Sequence, residues 1–224
     1  MKKSNLPQRS DERLAARITK DIISKLKNVE SILDLGCGDG IVGKEISKKT
    51  RYRGIDLSNS FIYKQDSNDS RIIYTGLDNI KSTLAAEGNF ELITILDVLE
   101  HTRGFSDLFE LALPHSKRFV LVSLPNELFI ADRIRMLIGK ELPAHSLTLT
   151  KHPEGFKHQY IININRARDI LKDIAQEQGF KLVEEWRRPL VAKNRIIQPA
   201  LWLSRLIFSD QVWSMGSIFL FEKV

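Results

Sequence analysis

The chain has 224 residues, enough for one domain with a full core, and its 42% apolar and 28% charged residues are ordinary for a soluble globular protein. Its single cysteine, Cys37, excludes an intramolecular disulfide and fits a reducing compartment, so a cytoplasmic location is expected. The 34 basic and 28 acidic side chains leave +6 at pH 7, which admits nucleic acid, an anionic membrane or acidic metabolites as partners without choosing among them. The first residues lack the apolar core of a signal peptide, and no uncharged apolar run reaches the ~18 residues of a spanning helix.

In chain order, Asp11 to Lys27 reads as a helix with Ser10 as its N-cap, because Leu14, Ile18, Ile22 and Leu26 recur every four residues. Arg13 and Arg17 share another side of it. Ile32, Leu33 and Leu35 then form a buried strand that ends in the glycine-rich run Gly36-Cys37-Gly38-Asp39-Gly40, with a helix over Ile41 to Lys49 directly after. Such a strand, turn and helix open a nucleotide-type α/β unit, whose ligand sits beyond the carboxyl end of the strand. Gly38 to Gly43 literally satisfies G-x-G-x-x-G. Two carboxylates, Asp34 and Asp39, lie in or beside this loop. Asp34 there would repel a pyrophosphate, whereas a ligand carrying an ammonium and a sulfonium would welcome it.

Tyr52 to Ser58 is a second strand closed by Asp56, about 20 residues past the first, the position of a carboxylate that accepts from both hydroxyls of a ribose. Arg71 to Tyr74 reads as the third strand, leading to Thr75-Gly76-Leu77-Asp78, where Asp78 is either a ligand to an adenine or the N-cap of a helix through Ile80 and Leu84. Phe90 to Leu96 is a further buried strand running into Asp97-Val98-Leu99-Glu100-His101. After a helix from Phe105 to Leu113, the strand Phe119 to Ser123 stops at Leu124-Pro125-Asn126. Asn165 is placed to cap a helix over Ala167 to Gln178 that Gly179 ends, and two strands follow, Phe180 to Trp186 and Ser217 to Glu222.

The motif Asp34-x-Gly36-x-Gly38-x-Gly40, the Asp97-Val98-Leu99-Glu100-His101 run and Ser123-Leu124-Pro125-Asn126 resemble class I S-adenosylmethionine-dependent methyltransferases, in particular the O-methyltransferases of small molecules and of ubiquinone pathways. The resemblance implies an α/β fold: a doubly wound, seven-stranded, mostly parallel sheet with an antiparallel last strand, in three α/β/α layers. It also implies one methyltransferase domain over residues 1–224, with an N-terminal helix in 1–28 and insertions at 127–160 and 189–212 roofing the substrate side. The cofactor would be S-adenosylmethionine, with S-adenosylhomocysteine as product. Its contacts would be Arg17 (with Arg13) on the carboxylate, Asp34, Gly36, Cys37 and Gly38 at the turn, and Asp56 and Leu57 at the ribose. Asp78 would meet the adenine, one place displaced from the family's usual Gly-Asp, and Asp97 and Val98 the methionyl end.

Methyl transfer to a hydroxyl benefits from a base, for which His101 and His158 are the candidates. The expected acceptor is a small molecule, such as a sugar, a glycan precursor or a quinone-like ring, through oxygen in preference to nitrogen. No metal is expected, although Asp97-x-x-Glu100-His101 with His158 resembles the divalent-ion cluster of small-RNA 2′-O-methyltransferases. That likeness makes RNA 2′-O-methylation the alternative activity, against which stands the lack of interleaved aromatic and basic residues for stacking bases. A non-catalytic partner subunit is a third reading, with Trp202 and Phe208 as its contact patch. The apolar stretch within 196–208, with Arg205 towards headgroups, admits peripheral membrane contact.

Overall fold

The computed structural model describes residues 2–5, 13–57, 69–145, 157–189 and 210–224. They build one eight-stranded sheet. Its strands are β1 (Lys2–Asn5), β2 (Ser31–Leu35), β3 (Arg51–Leu57), β4 (Ile72–Thr75), β5 (Phe90–Leu96), β6 (Ser116–Pro125), β7 (Phe180–Pro189) and β8 (Ser214–Lys223). Across the sheet they run β1-β7-β8-β6-β5-β2-β3-β4, and β8 alone is antiparallel to its neighbours. The expected seven-stranded frame with an antiparallel last strand is therefore present, and β1 adds an edge strand to it, parallel to β7 from Lys2 opposite Glu184 to Asn5 opposite Arg187. That strand precedes the helix expected over Asp11 to Lys27; nothing in Lys-Lys-Ser-Asn signals a strand, because an edge strand needs only free backbone groups beside it.

The side-chain period of two divides the strands between two cores. Leu33, Ile93, Val120, Val122, Phe219 and Phe221 face one side. There they meet Leu84 of α3 (Ile80–Glu87), Phe109 of α4 (Asp107–Ala112) and Leu171 of α6 (Ile164–Glu177). Ile32, Leu92, Leu121, Ile218 and Leu220 face the other side, against Ile18 of α1 (Leu14–Asp21) and Ile22. The helix expected from Asp11 to Lys27 is thus shorter: the chain leaves it at Ile22 (φ −120°) for a 3₁₀ turn, Ile23–Lys25, that buries Ile23 as well. Ser10, the expected cap, lies outside the described residues. Helix α2 (Ile41–Glu45) also ends early, Ile46 being extended. At α6 the cap is Asn163 and not Asn165: its side chain accepts from the amides of Asn165 and Arg166 at 3.1 and 3.2 Å. Ile164 is buried and belongs inside the helix, which moves the start by one turn's edge.

From β2 the chain winds outward through β3 and β4, whereas from β5 it winds the other way through β6. The carboxyl ends of β2, β3 and β5 meet at this switch point, where an open α/β sheet binds its ligand. In the first insertion, α5 (Ile130–Leu137) has no buried residue, and a 3₁₀ turn at Pro143–His145 follows it. Most of the second insertion, including the apolar stretch within 196–208 with Trp202 and Phe208, lies outside the described residues.

Candidate active site

The turn after β2 carries positive φ at Gly36 (74°), Gly38 (56°) and Gly40 (70°). At Gly36 a side chain is excluded twice over, since a Cβ would also sit 2.3 Å from Cγ2 of Val98. Asp56, at the end of β3, closes the turn from the other side: its carboxylate accepts from the Gly38 amide and, at 2.6 Å, from the Leu57 amide. Burial pushes the Asp56 carboxyl up against the pull of these two amides.

Asp34 is 2% exposed and spoken for on both oxygens, by Thr94 Oγ1 at 2.7 Å and by the Tyr52 hydroxyl at 3.0 Å. Register explains these partners: Asp34 stands opposite Thr94 on β5, and Tyr52 lies two residues before its other neighbour, Gly54, on β3. Burial raises the Asp34 carboxyl to about 6 despite the two hydroxyls. Cys37 is buried beside it, its thiol pushed far up by the same desolvation and by the charges of Asp34 and Asp56, so it is no nucleophile. A cleft of about 110 Å³ opens here, lined by Arg13, Asp34, Gly36, Cys37, Gly38 and Leu96 among others. Arg13 Nη1 is held at 2.8 Å by Asp39, whose carboxyl burial would raise but Arg13 and Lys44 keep low. Arg17 Nε is buried without a hydrogen-bond partner among the described residues, and Arg17 does not line the cleft. Asp78 sits exposed in the 3₁₀ turn Leu77–Asn79; the N-cap position of α3 belongs to Asn79.

Beyond β5, Asp97 takes φ 54°. Its Oδ1 accepts from Ser123 Oγ at 2.8 Å and from Arg188 Nη1 at 3.0 Å, and Oδ2 lies 3.2 Å from the same nitrogen. Val98 fills the space over Gly36. Glu100 is 1% exposed, its Oε2 buried without a hydrogen-bond partner among the described residues; desolvation first, then the charge of Asp97, raises its pKa strongly.

His101 and His158 do come together, ring edge to face with centroids 4.7 Å apart. Burial, then His158, lowers the His101 pKa, so the ring is neutral around pH 7; it bonds to the Lys157 backbone and leaves Nδ1 buried, with no hydrogen-bond partner among the described residues. His158 Nδ1 lies 2.8 Å from Oε1 of Glu127, and His145 Nε2 lies 2.9 Å from the same oxygen. The Glu127 Oε2 accepts from the Ile162 amide at 2.9 Å.

A methyltransferase-domain family profile matches residues 8–185. The chain belongs to this methyltransferase family. No curated protein matches it at the level of sequence. Among solved structures it resembles an S-adenosylmethionine-dependent methyltransferase from Archaeoglobus fulgidus (17% identity, TM-score 0.59, 93% of this chain and 92% of that one). The plantazolicin methyltransferase BamL, solved with a triazolic desmethylPZN analogue and S-adenosylhomocysteine, is similar at 16% identity and TM-score 0.55, over 94% of this chain and 81% of that one. The N-terminal domain of EvdMO1, solved with S-adenosylhomocysteine and D-fucose, is similar at 13% and 0.51, over 96% and 84%. At such identities the likeness is one of fold. Family and sheet order together make this protein a methyltransferase of the class I fold.

Several groups of the methyltransferase's site carry no motif in the sequence. Tyr52, Thr94 and Arg188 reach it only through strand pairing, and Glu127 and His145 through the fold of the insertion. Ser123 and Asn126 had a signal in the Ser-x-Pro-Asn run. Ser123 bonds Asp97, and Asn126 pins the end of β6 to the Ser214 carbonyl at 2.8 Å. No helix among the described residues is long and apolar enough to cross a membrane.

Proposed function

We propose that this methyltransferase moves the methyl group of S-adenosylmethionine to an oxygen of a small molecule, with His101 as the base. The donor lies over the Gly36–Gly38 turn, with Asp56 and Leu57 at the ribose, Asp78 at the adenine, Asp97 and Val98 at the methionyl end, and Arg13, which lines the cleft where Arg17 does not, on its carboxylate. Asp56 retains capacity for the diol, because a carboxylate offers about four acceptor sites and two are used by amides. The sulfonium carries the hard chemistry; the protein aligns acceptor and methyl and keeps water out, worth up to ~7–11 kcal/mol in ideal alignment.

The observation that carries the choice of oxygen is the His101 imidazole, neutral and with a buried Nδ1 that has no partner among the described residues. A hydroxyl acceptor must lose its proton, and this nitrogen can take it. His158, against the His101 ring, stands ready to share that proton. The single cysteine fits a cytoplasmic setting.

The test is a panel of sugars, glycan precursors and phenolic rings assayed for tritiated methyl transfer, with His101→Ala alongside. Donor binding, read by calorimetry, should survive in the variant while turnover falls ~10²–10⁴-fold. The wild-type rate should rise with pH through a midpoint below the usual histidine value of 6.5, the base being active unprotonated. Unchanged turnover in His101→Ala, or a rate flat with pH in that range, removes the base. Loss of donor binding on Asp56→Ala is expected, and undiminished affinity sinks the placement of the cofactor.

A further inference from the structure

Glu127, His145 and His158 were not grouped by any motif, yet each offers one ligand atom within 4.8 Å of the other two. Two imidazoles and a carboxylate form the donor set of many zinc sites and suit the later divalent first-row ions; Mg²⁺ and Ca²⁺ prefer all-oxygen shells. Bonds of ~2.1 Å in a tetrahedron hold ligand atoms ~3.4 Å apart. The present separations of 2.8 and 2.9 Å between Glu127 Oε1 and the two ring nitrogens need only sub-ångström outward shifts to admit an ion. The other carboxylate oxygen is fixed by the Ile162 amide, so Glu127 is oriented before anything binds.

A second observation points the same way. Glu100, 1% exposed, has its Oε2 buried without a hydrogen-bond partner among the described residues, and the adjacent His101 leaves Nδ1 in the same condition. Both also lie within ligand distance of His158. Unpaired polar atoms at such depth are costly unless something occupies the space between them. Asp97, by contrast, is already engaged by Ser123 and Arg188.

We propose that Glu127, His145 and His158 bind a divalent transition-metal ion of the Zn²⁺ class, in a site built by the insertion after β6. Glu100, within reach of His158, stands beside the site as a further carboxylate. With His158 committed to the ion and no longer sharing a proton, His101 is left as the base. The inference does not depend on the acceptor, since it concerns binding of the metal alone.

The protein is stripped with EDTA, dialysed and titrated with Zn²⁺, then separately with Mg²⁺, by calorimetry in the absence of methyl donor. One Zn²⁺ per chain is expected, with Mg²⁺ bound more weakly. Glu127→Gln and His145→Ala should each weaken Zn²⁺ binding by more than ~100-fold, beyond what loss of a supporting contact costs. His145 is a partly exposed residue of a surface turn, so its variant should fold; retained binding of S-adenosylmethionine and an unchanged melting curve verify this. Co²⁺ in place of Zn²⁺ should show visible absorption that His145→Ala alters. Absence of saturable Zn²⁺ binding, tighter Mg²⁺ than Zn²⁺, or an affinity untouched by either variant overturns the site. Donor titration on the same samples reports separately on the methyltransferase reading.

Discussion

Asp34 joins three strands through one side chain, accepting from Tyr52 on β3 and Thr94 on β5 while itself standing on β2. Desolvation raises its carboxyl to about 6 from 3.8, so the native state keeps a proton that the unfolded chain gives up. The group's contribution to stability is therefore greatest below about pH 4, falls as pH climbs to about 6, and stays low above that, a change of about 3 kcal/mol. Asp34→Asn removes the titrating proton. Urea midpoints at pH 4, 5, 6 and 7 should show the wild type losing ground relative to the variant across that window and running parallel to it above. If the difference between the two is independent of pH, Asp34 does not titrate in this way. The sequence placed Asp34 beside the ligand because a carboxylate next to a glycine turn is visible in one dimension. Its two hydroxyl partners are not, since they follow from strand register alone.

Elements whose signal is local were legible. Strands β2 and β5 are continuous apolar runs bounded by turn residues, and the structure has β5 over the residues expected, Phe90–Leu96. Elements defined by a neighbour were not: β1 exists because β7 presents a free edge, and α1 stops because the chain must bury Ile22 and Ile23 together. The glycine turn lies between these cases. Positive φ was foreseeable at Gly36, but the second constraint, Val98 pressed onto its Cα from 62 residues away, was not. Gly36→Ala separates the two. Left-handed backbone costs an alanine about 1–2 kcal/mol, and overpacking adds about 1–3 kcal/mol. Gly179→Ala is the control, with φ 78° and nothing within 4 Å of its Cβ, so it should show the backbone cost without the clash. Denaturant unfolding should rank Gly36→Ala well below Gly179→Ala, and adding Val98→Ala should recover part of the gap. Equal losses in the two glycine variants would show that Val98 yields without cost.

At the scale of the whole molecule, the last strands must be held over the first half of the sheet if the site is to stay closed. Backbone pairing runs from β5 through β6 and β8 to β7, so Arg188 near the end of β7 reaches back across two strands to Asp97. The two residues are 91 positions apart, beyond any pattern a sequence displays. The strength of this tie follows from its burial. The Arg188 and Asp97 side chains are 20% and 34% exposed, against 44% and 27% for Arg13 and Asp39 on the rim of the cleft. Exposed pairs couple by about 0.2–1 kcal/mol and are eroded by salt; shielded ones lose less to screening. A double-mutant cycle of Arg188→Met with Asp97→Asn should therefore give a coupling near the upper end, about 1 kcal/mol, and keep most of it in 1 M NaCl. The cycle of Arg13→Met with Asp39→Asn should give a few tenths of a kcal/mol and lose it in that salt. The buried Glu100 sharpens the contrast, because Arg188 also offsets its charge; the Arg188 variant should leave Glu100 still harder to ionise. Equal couplings and equal salt sensitivity in the two cycles would mean that strand pairing alone holds β7 in place, with Arg188 a bystander on the surface.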